Sequence, residues 1–508
     1  MGLSKIVVFY FLCVYVTAKT TDGVVVTSEW GQVRGFSEQV LGRDLNIFLG
    51  IPYAVPPVGD RRFKRAQLIE KWDGVKNATQ FPNACYQVVD TMYDQFDGVN
   101  MWNPNTNMSE DCLYLNIWSP SSGAVGPTKA VMVWIYGGSF TSGSSALDVY
   151  DGRILAAQGD VIVVSMNYRM GALGFLYHGS EDVPGNMGVL DQSVALQWIY
   201  NNIAAFGGDN RRITVFGESA GSASASVHLL SPLSRDFLFG AALLSGTAHN
   251  SWVVDSKEVA RKKSDQLAEL VGCKTAGADP GQVLACLRNT HPAKLSAKTW
   301  YITDKSQLPT PLVLVVDGYF LTEHPDVTLA SGNMKQVNLL LGSVKDEGTY
   351  FLLYDGRYIP YFPLQNPHLT RQEYRAVISE VIRSDSNSLV SLIDFEYSFT
   401  RTPRQQEYTD SNYYISIIDD IITDTAFVCP MLQYSDYYAQ ANSSVFMYYF
   451  THRTSGNPWP EWAGVMHGYE IDHVFGLPLN DSLQQYNENE KLLSRHMIEY
   501  WTNFAKTG

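Results

Sequence analysis

The chain has 508 residues, of which 45% are hydrophobic, 17% charged and 13% aromatic. That mix excludes a disordered, collagenous or coiled-coil chain and is enough to bury a large core. The net charge of −14 argues against nucleic acid or an anionic membrane as partner and favours attraction of cations.

Residues 1–18 read as a secretory leader. Lys5 supplies the positive start, Ile6 to Val16 a short apolar core, and Val16-Thr17-Ala18 small residues at a cleavage site. Residues 19–508 then read as one domain, because no repeat, low-complexity linker or composition break divides them. No later apolar run is long enough to span a bilayer, so no membrane span is expected. Among the cysteines, Cys13 leaves with the leader. Cys85 with Cys112, and Cys273 with Cys286, are spaced for local bridges; Cys429 is left over, as a buried thiol or a link to another chain. Sequons at Asn77, Asn107, Asn442 and Asn480 fit a secreted glycoprotein.

Short apolar runs mark strands at Val131–Tyr136, Val161–Met166, Ile213–Phe216, Ala241–Leu244, Val337–Leu341 and Val445–Phe450. Runs apolar on both faces suit a mainly parallel sheet with helical crossovers. A helix is predicted over Asp191 to Phe206, where Ala195, Trp198, Ile199 and Ile203 recur at helical spacing and Gly207-Gly208 ends the run. The fold class is therefore α/β, one large domain with long insertions.

The chemistry is densest at Gly217-Glu218-Ser219-Ala220-Gly221. A strand-like run precedes it and a run of small residues follows, which is the strand–turn–helix setting of a nucleophile elbow. Glycines tolerate the sharp turn and let a serine hydroxyl project. Such a hydroxyl needs a base, and the base needs a third group to fix its tautomer. Downstream histidines are His452, His467, His473 and His496, and acids are too many to choose among by spacing. An oxyanion that forms on attack needs backbone N–H donors. The glycine turn after a strand in Trp134-Ile135-Tyr136-Gly137-Gly138-Ser139-Phe140 can supply them. Neither the histidines nor the cysteines show zinc-ligand spacing, so no metal or organic cofactor is expected.

From about Gly31 to its end the sequence resembles the cholinesterases, a branch of the type-B carboxylesterases with the α/β-hydrolase fold. The resemblance is carried by Phe48-Leu49-Gly50-Ile51-Pro52-Tyr53-Ala54, Met101-Trp102-Asn103-Pro104-Asn105 and Ser109 through Trp118. Phe216 through Gly221, Lys345 through Phe351 and Gly464 through Glu470 carry it further. It implies a large, mostly parallel sheet flanked by helices and hydrolysis of a choline ester, acetylcholine foremost.

The resemblance implies Ser219 as nucleophile, His467 as general base and acid, and Glu347 as the group orienting His467. It implies oxyanion donors at the N–H groups of Gly138, Ser139 and Ala220, with Ser139 standing where the family has glycine. Trp102 would hold the trimethylammonium group on its ring face, with Glu218, Tyr350, Phe351 and Tyr469 beside it. Trp252, Leu308 and Thr310 would form the acyl pocket, wider than where two phenylalanines stand. Asp90 and Trp300 would form a peripheral cation site, weakened because Thr141 and Val88 replace aromatic residues. The resemblance also implies the bridges Cys85–Cys112 and Cys273–Cys286, and a partner for Cys429 beyond the Lys506-Thr507-Gly508 segment. Oligomeric state stays open. Two rivals share the fold: a general carboxylesterase on lipophilic esters, which needs no Trp102, and a non-catalytic adhesion protein, which needs no Ser219.

Overall fold

The computed structural model describes residues 23–508 except 94, 122–127, 276, 303–307, 309, 356–357, 359–361, 363, 365–366, 401–409 and 484. The predicted leader, residues 1–18, lies outside the described residues.

Among the described residues, nine strands build the central sheet. They are β1 (Phe36–Val40), β2 (Arg43–Pro52), β3 (Tyr114–Pro120), β4 (Lys129–Ile135), β5 (Ile162–Met166), β6 (Gly208–Glu218), β7 (Gly240–Leu244), β8 (Asn338–Val344) and β9 (Val445–Phe450). Their order across the sheet is β9-β8-β7-β6-β4-β5-β3-β2-β1. Neighbours from β9 through β5 are parallel, and those from β5 through β1 antiparallel. The sheet is thus mixed, its parallel half holding every strand predicted from the sequence. Ala130 to Ile135 of β4 are buried on both faces, as a central parallel strand requires. Strand β9 departs from that pattern. It forms the edge, so Phe446, Met447 and Tyr449 stand exposed.

The predicted helix is α1 (Met187–Asn202), which starts four residues earlier than its apolar spacing suggests. Its last stretch, Ile203–Phe206, tightens into a 3₁₀ turn that Gly207 ends at φ 90°. Asp191 is buried inside α1 rather than at its start. Its carboxylate receives the Arg169 side chain at 2.8 and 2.7 Å and the Arg169 N–H at 3.0 Å.

Both local bridges form, Cys85–Cys112 and Cys273–Cys286, and the first closes the loop that carries Trp102. Cys429, which follows a π-helical turn at Thr423–Val428, is exposed and not a buried thiol. Among the described residues, no helix is long and apolar enough to cross a membrane. The ends of β4, β6 and β8 open on one side of the sheet, the rim where open parallel sheets place their sites.

Candidate active site

Strand β6 ends at Glu218, and α2 (Ala220–His228) starts two residues later. Ser219 is the single joint between them, with φ 56° and ψ −125°. A side-chain-bearing residue holds that conformation only when its surroundings force it. A Cβ on Gly221 would stand 2.0 Å from the Ile135 carbonyl oxygen, and one on Gly217 would meet the Gly221 backbone at 2.5 Å. Both glycines are therefore obligatory. They let α2 rest on β4 and leave the serine at the crest of the turn. The Ser219 N–H is tied to the Leu244 carbonyl of β7 at 2.9 Å.

The acid comes from the end of β8, where Asp346 leads into α3 (Glu347–Tyr354). Glu347 is fully buried. One of its oxygens accepts the Val344 N–H at 3.0 Å, and the other lies 2.5 Å from Nδ1 of His467. With Nδ1 engaged, Nε2 faces outward. It has no hydrogen-bond partner among the described residues, although Glu218 Oε1 approaches it to 3.0 Å. That approach is a charge contact rather than an aligned hydrogen bond.

Three buried carboxyl groups surround the imidazole. Burial alone depresses the His467 pKa, but Glu218, Glu347 and Glu470 outweigh it and raise the value to about 9. Burial raises Glu218 to about 7 against the lowering pull of His467. Burial, with Glu218 and Glu347 adding like charge, raises Glu470 to about 8. The other candidate histidines lie elsewhere. His452 contacts Glu490 at 3.0 Å, at the N-terminus of the last helix, His473 is buried near Thr454, and neither they nor His496 line the site.

Ser219 and His467 line one cavity of about 540 Å³. Its floor includes the turn after β4. Gly138 has φ 108°, and a Cβ there would meet the Ser142 carbonyl oxygen at 2.4 Å. Ser139 and Phe140 follow at φ 54° and 58°. A serine at positive φ is strained by about 1–2 kcal/mol relative to a glycine there. No hydrogen bond is donated by the N–H groups of Gly138, Ser139 or Ala220 among the described residues.

Trp102, Glu218, Tyr350 and Phe351 line the same cavity, as do Asp90 and Trp300 toward its mouth. Trp300 is 45% exposed there. Tyr469 does not line the cavity but supports Trp102 edge-on, with ring centres 6.4 Å apart. Trp252, Leu308 and Thr310 are buried outside the cavity wall. Thr141 is likewise absent from it, its hydroxyl bonded to the Gly138 carbonyl at 3.0 Å, whereas Val88 lines the mouth.

Three further residues escaped sequence reasoning. Tyr150 lines the cavity with its ring 6.3 Å from Trp102. Tyr354 stacks on Tyr350 at 4.5 Å, a pairing that their spacing of four on a helix foreshadows. Phe427 packs on the His467 ring at 4.9 Å, on Phe351 at 5.4 Å and on Trp252 at 5.9 Å. It comes from the π-helical turn, whose Ala426 carbonyl accepts the Trp252 indole N–H at 3.0 Å. No sequence signal announces such a turn.

A profile of the Carboxylesterase family matches residues 22–508. Similar proteins include an acetylcholinesterase of Bungarus fasciatus, 45% identical over 98% of this chain and 80% of its own length. A cholinesterase of Mus musculus is 44% identical over 96% and 79% of the two chains. An acetylcholinesterase of Danio rerio is 43% identical over 97% and 81%.

Proposed function

The chain belongs to the carboxylesterase family, and on that premise we propose that it hydrolyses choline esters, acetylcholine foremost, outside the cell. It is a serine-type carboxylic ester hydrolase of cholinesterase kind. The observation that carries the finer reading is the shared cavity. Ser219 and His467 stand in one chamber with the indole of Trp102 and a buried carboxyl group at Glu218. A quaternary ammonium cannot donate hydrogen bonds, so an aromatic face and a nearby negative charge are its natural partners.

In this reading Ser219 Oγ attacks the ester carbonyl while His467 Nε2 takes its proton. Glu347 stabilises the imidazolium and holds its tautomer through Nδ1. The N–H groups of Gly138, Ser139 and Ala220 receive the developing oxyanion, each donor worth about 3–4 kcal/mol. His467 then protonates the departing choline oxygen. A water molecule repeats the sequence on the acyl-enzyme and frees the acid. An extracellular setting is supported by the two bridges, the leader-like residues 1–18 and the exposed sequons at Asn77, Asn107 and Asn442.

The test compares acetylthiocholine with its uncharged isostere in the parent and in Trp102→Ala. The parent is expected to prefer the charged ester, and the variant to lose about 2- to 30-fold of that preference, the equivalent of 0.5–2 kcal/mol. No preference in the parent identifies a general carboxylesterase instead.

A further inference from the structure

Glu347 and His467 lie 120 residues apart, on segments that follow two different strands, yet their side chains meet at 2.5 Å. Something must set the spacing of those segments. The residue before Glu347 touches the other loop twice. The Asp346 N–H donates to the Val465 carbonyl at 3.0 Å, and its Oδ2 accepts the Val465 N–H at 2.7 Å. Asp346 and Met466 form an isolated parallel bridge, one residue before each member of the pair. Beside them, the Thr349 hydroxyl contacts the Asp346 carbonyl at 2.9 Å and the Ala463 carbonyl at 2.8 Å. Gly464 sits at φ 62°, where a Cβ would stand 2.2 Å from Asp346 Oδ2. The chain thus has no side chain at the one point where it would displace this carboxylate.

We propose that Asp346 is a positioning residue, a clamp whose carboxylate and backbone fix the His467 loop in register with Glu347 and so set the hydrogen bond between them. The inference rests on the catalytic roles proposed above. The Asp346 side chain is mostly buried, and Lys345 approaches its second oxygen only to 3.8 Å. Its loss therefore leaves the Val465 N–H without an acceptor and the two loops joined by one backbone bond and the Thr349 hydroxyl. Arg453 holds the same loop independently, through the Gly464 and Trp459 carbonyls at 2.5 Å. A misplacement of about 1 Å at a reacting centre is enough to lower turnover about 100-fold.

The test is Asp346→Ala beside Asp346→Asn, which retains an oxygen for the Val465 N–H. Asp346→Ala is expected to lower kcat 10- to 100-fold on acetylthiocholine and on its uncharged isostere alike, with KM within threefold. Asp346→Asn is expected to recover most of that loss. The far-downfield proton resonance of His467 Nδ1–H should broaden or move in the alanine variant and persist in the asparagine one. An alanine variant with parental kcat and an unmoved resonance overturns the proposal, as does a loss confined to KM. If Asp346→Ala does not fold, Thr349→Val, which removes the hydroxyl contact to the Ala463 carbonyl between the loops, should show the same kcat-only loss at smaller size; no effect there counts against the clamp. Labelling of the parent at Ser219 by an organophosphate is the control. A parent that is neither labelled nor active refutes the catalytic roles, whereas an active parent matched by its alanine variant refutes only the clamp.

Discussion

Glu218 sits where two roles conflict. Its carboxyl group lies 3.0 Å from His467 Nε2, the nitrogen that must accept the Ser219 proton, and it shares the chamber with Trp102. A negative charge at that distance favours the imidazolium, and an opposite charge this near raises a pKa by about 1–3 units, each unit being about 1.4 kcal/mol. Replacing Glu218 by Gln removes the charge and keeps the shape, so the His467 pKa must fall. The base acts only when neutral, and kcat/KM therefore climbs as pH rises through that pKa. In Glu218→Gln the acid limb is expected about 1–3 units below that of the parent. The assay is kcat/KM against pH on an uncharged acetyl ester, which isolates the base from cation attraction. Acetylthiocholine run alongside should show a second effect, a rise in KM from the lost charge beside the ammonium. An acid limb that stays in place or moves upward on the uncharged ester refutes the electrostatic account of this site.

Phe427→Ala removes a ring packed on His467, Phe351 and Trp252, so it should open room beside the acyl group. One methylene of pocket room is worth about 1–3 kcal/mol, so the butyryl-to-acetyl rate ratio on thiocholine esters should rise at least about tenfold. An unchanged ratio places Phe427 away from the acyl end. Glu470→Gln should stabilise the fold in alkali. The folded-state pKa of Glu470 is raised from an ordinary 4.5 to about 8, so its protonated form favours folding below the lower value, and that advantage is lost as pH rises between the two. Glutamine cannot ionise. The variant should match the parent below pH 4.5 and exceed it above pH 8 by at most about 5 kcal/mol, read from thermal or urea unfolding. A gain largest in acid contradicts the assignment of burial as the cause.

Legibility followed distance along the chain. Around Ser219, every requirement falls on neighbouring residues. Gly217 and Gly221 must lack a Cβ because α2 crosses β4 at contact distance, and the motif records that in five consecutive letters. Glu347 and His467 leave no such trace. Each is one acid or one imidazole among many, and only the resemblance to a family singled them out. The acyl pocket was read from that resemblance as Trp252, Leu308 and Thr310; the ring nearest His467 is Phe427, delivered by a π-helical turn that no apolar period encodes. Strand β9 shows the same limit. Its residues are as apolar as those of β4, but being last in the sheet is a fact about pairing, not composition. That pairing also carries the site. Val344 lies opposite Phe450 at the last rung of β8 and β9, so both strands release their chains at one level of the sheet. Asp346 and Val465 then need only one backbone bond and one side-chain bond to finish the alignment that brings a carboxylate and an imidazole together from 120 residues apart.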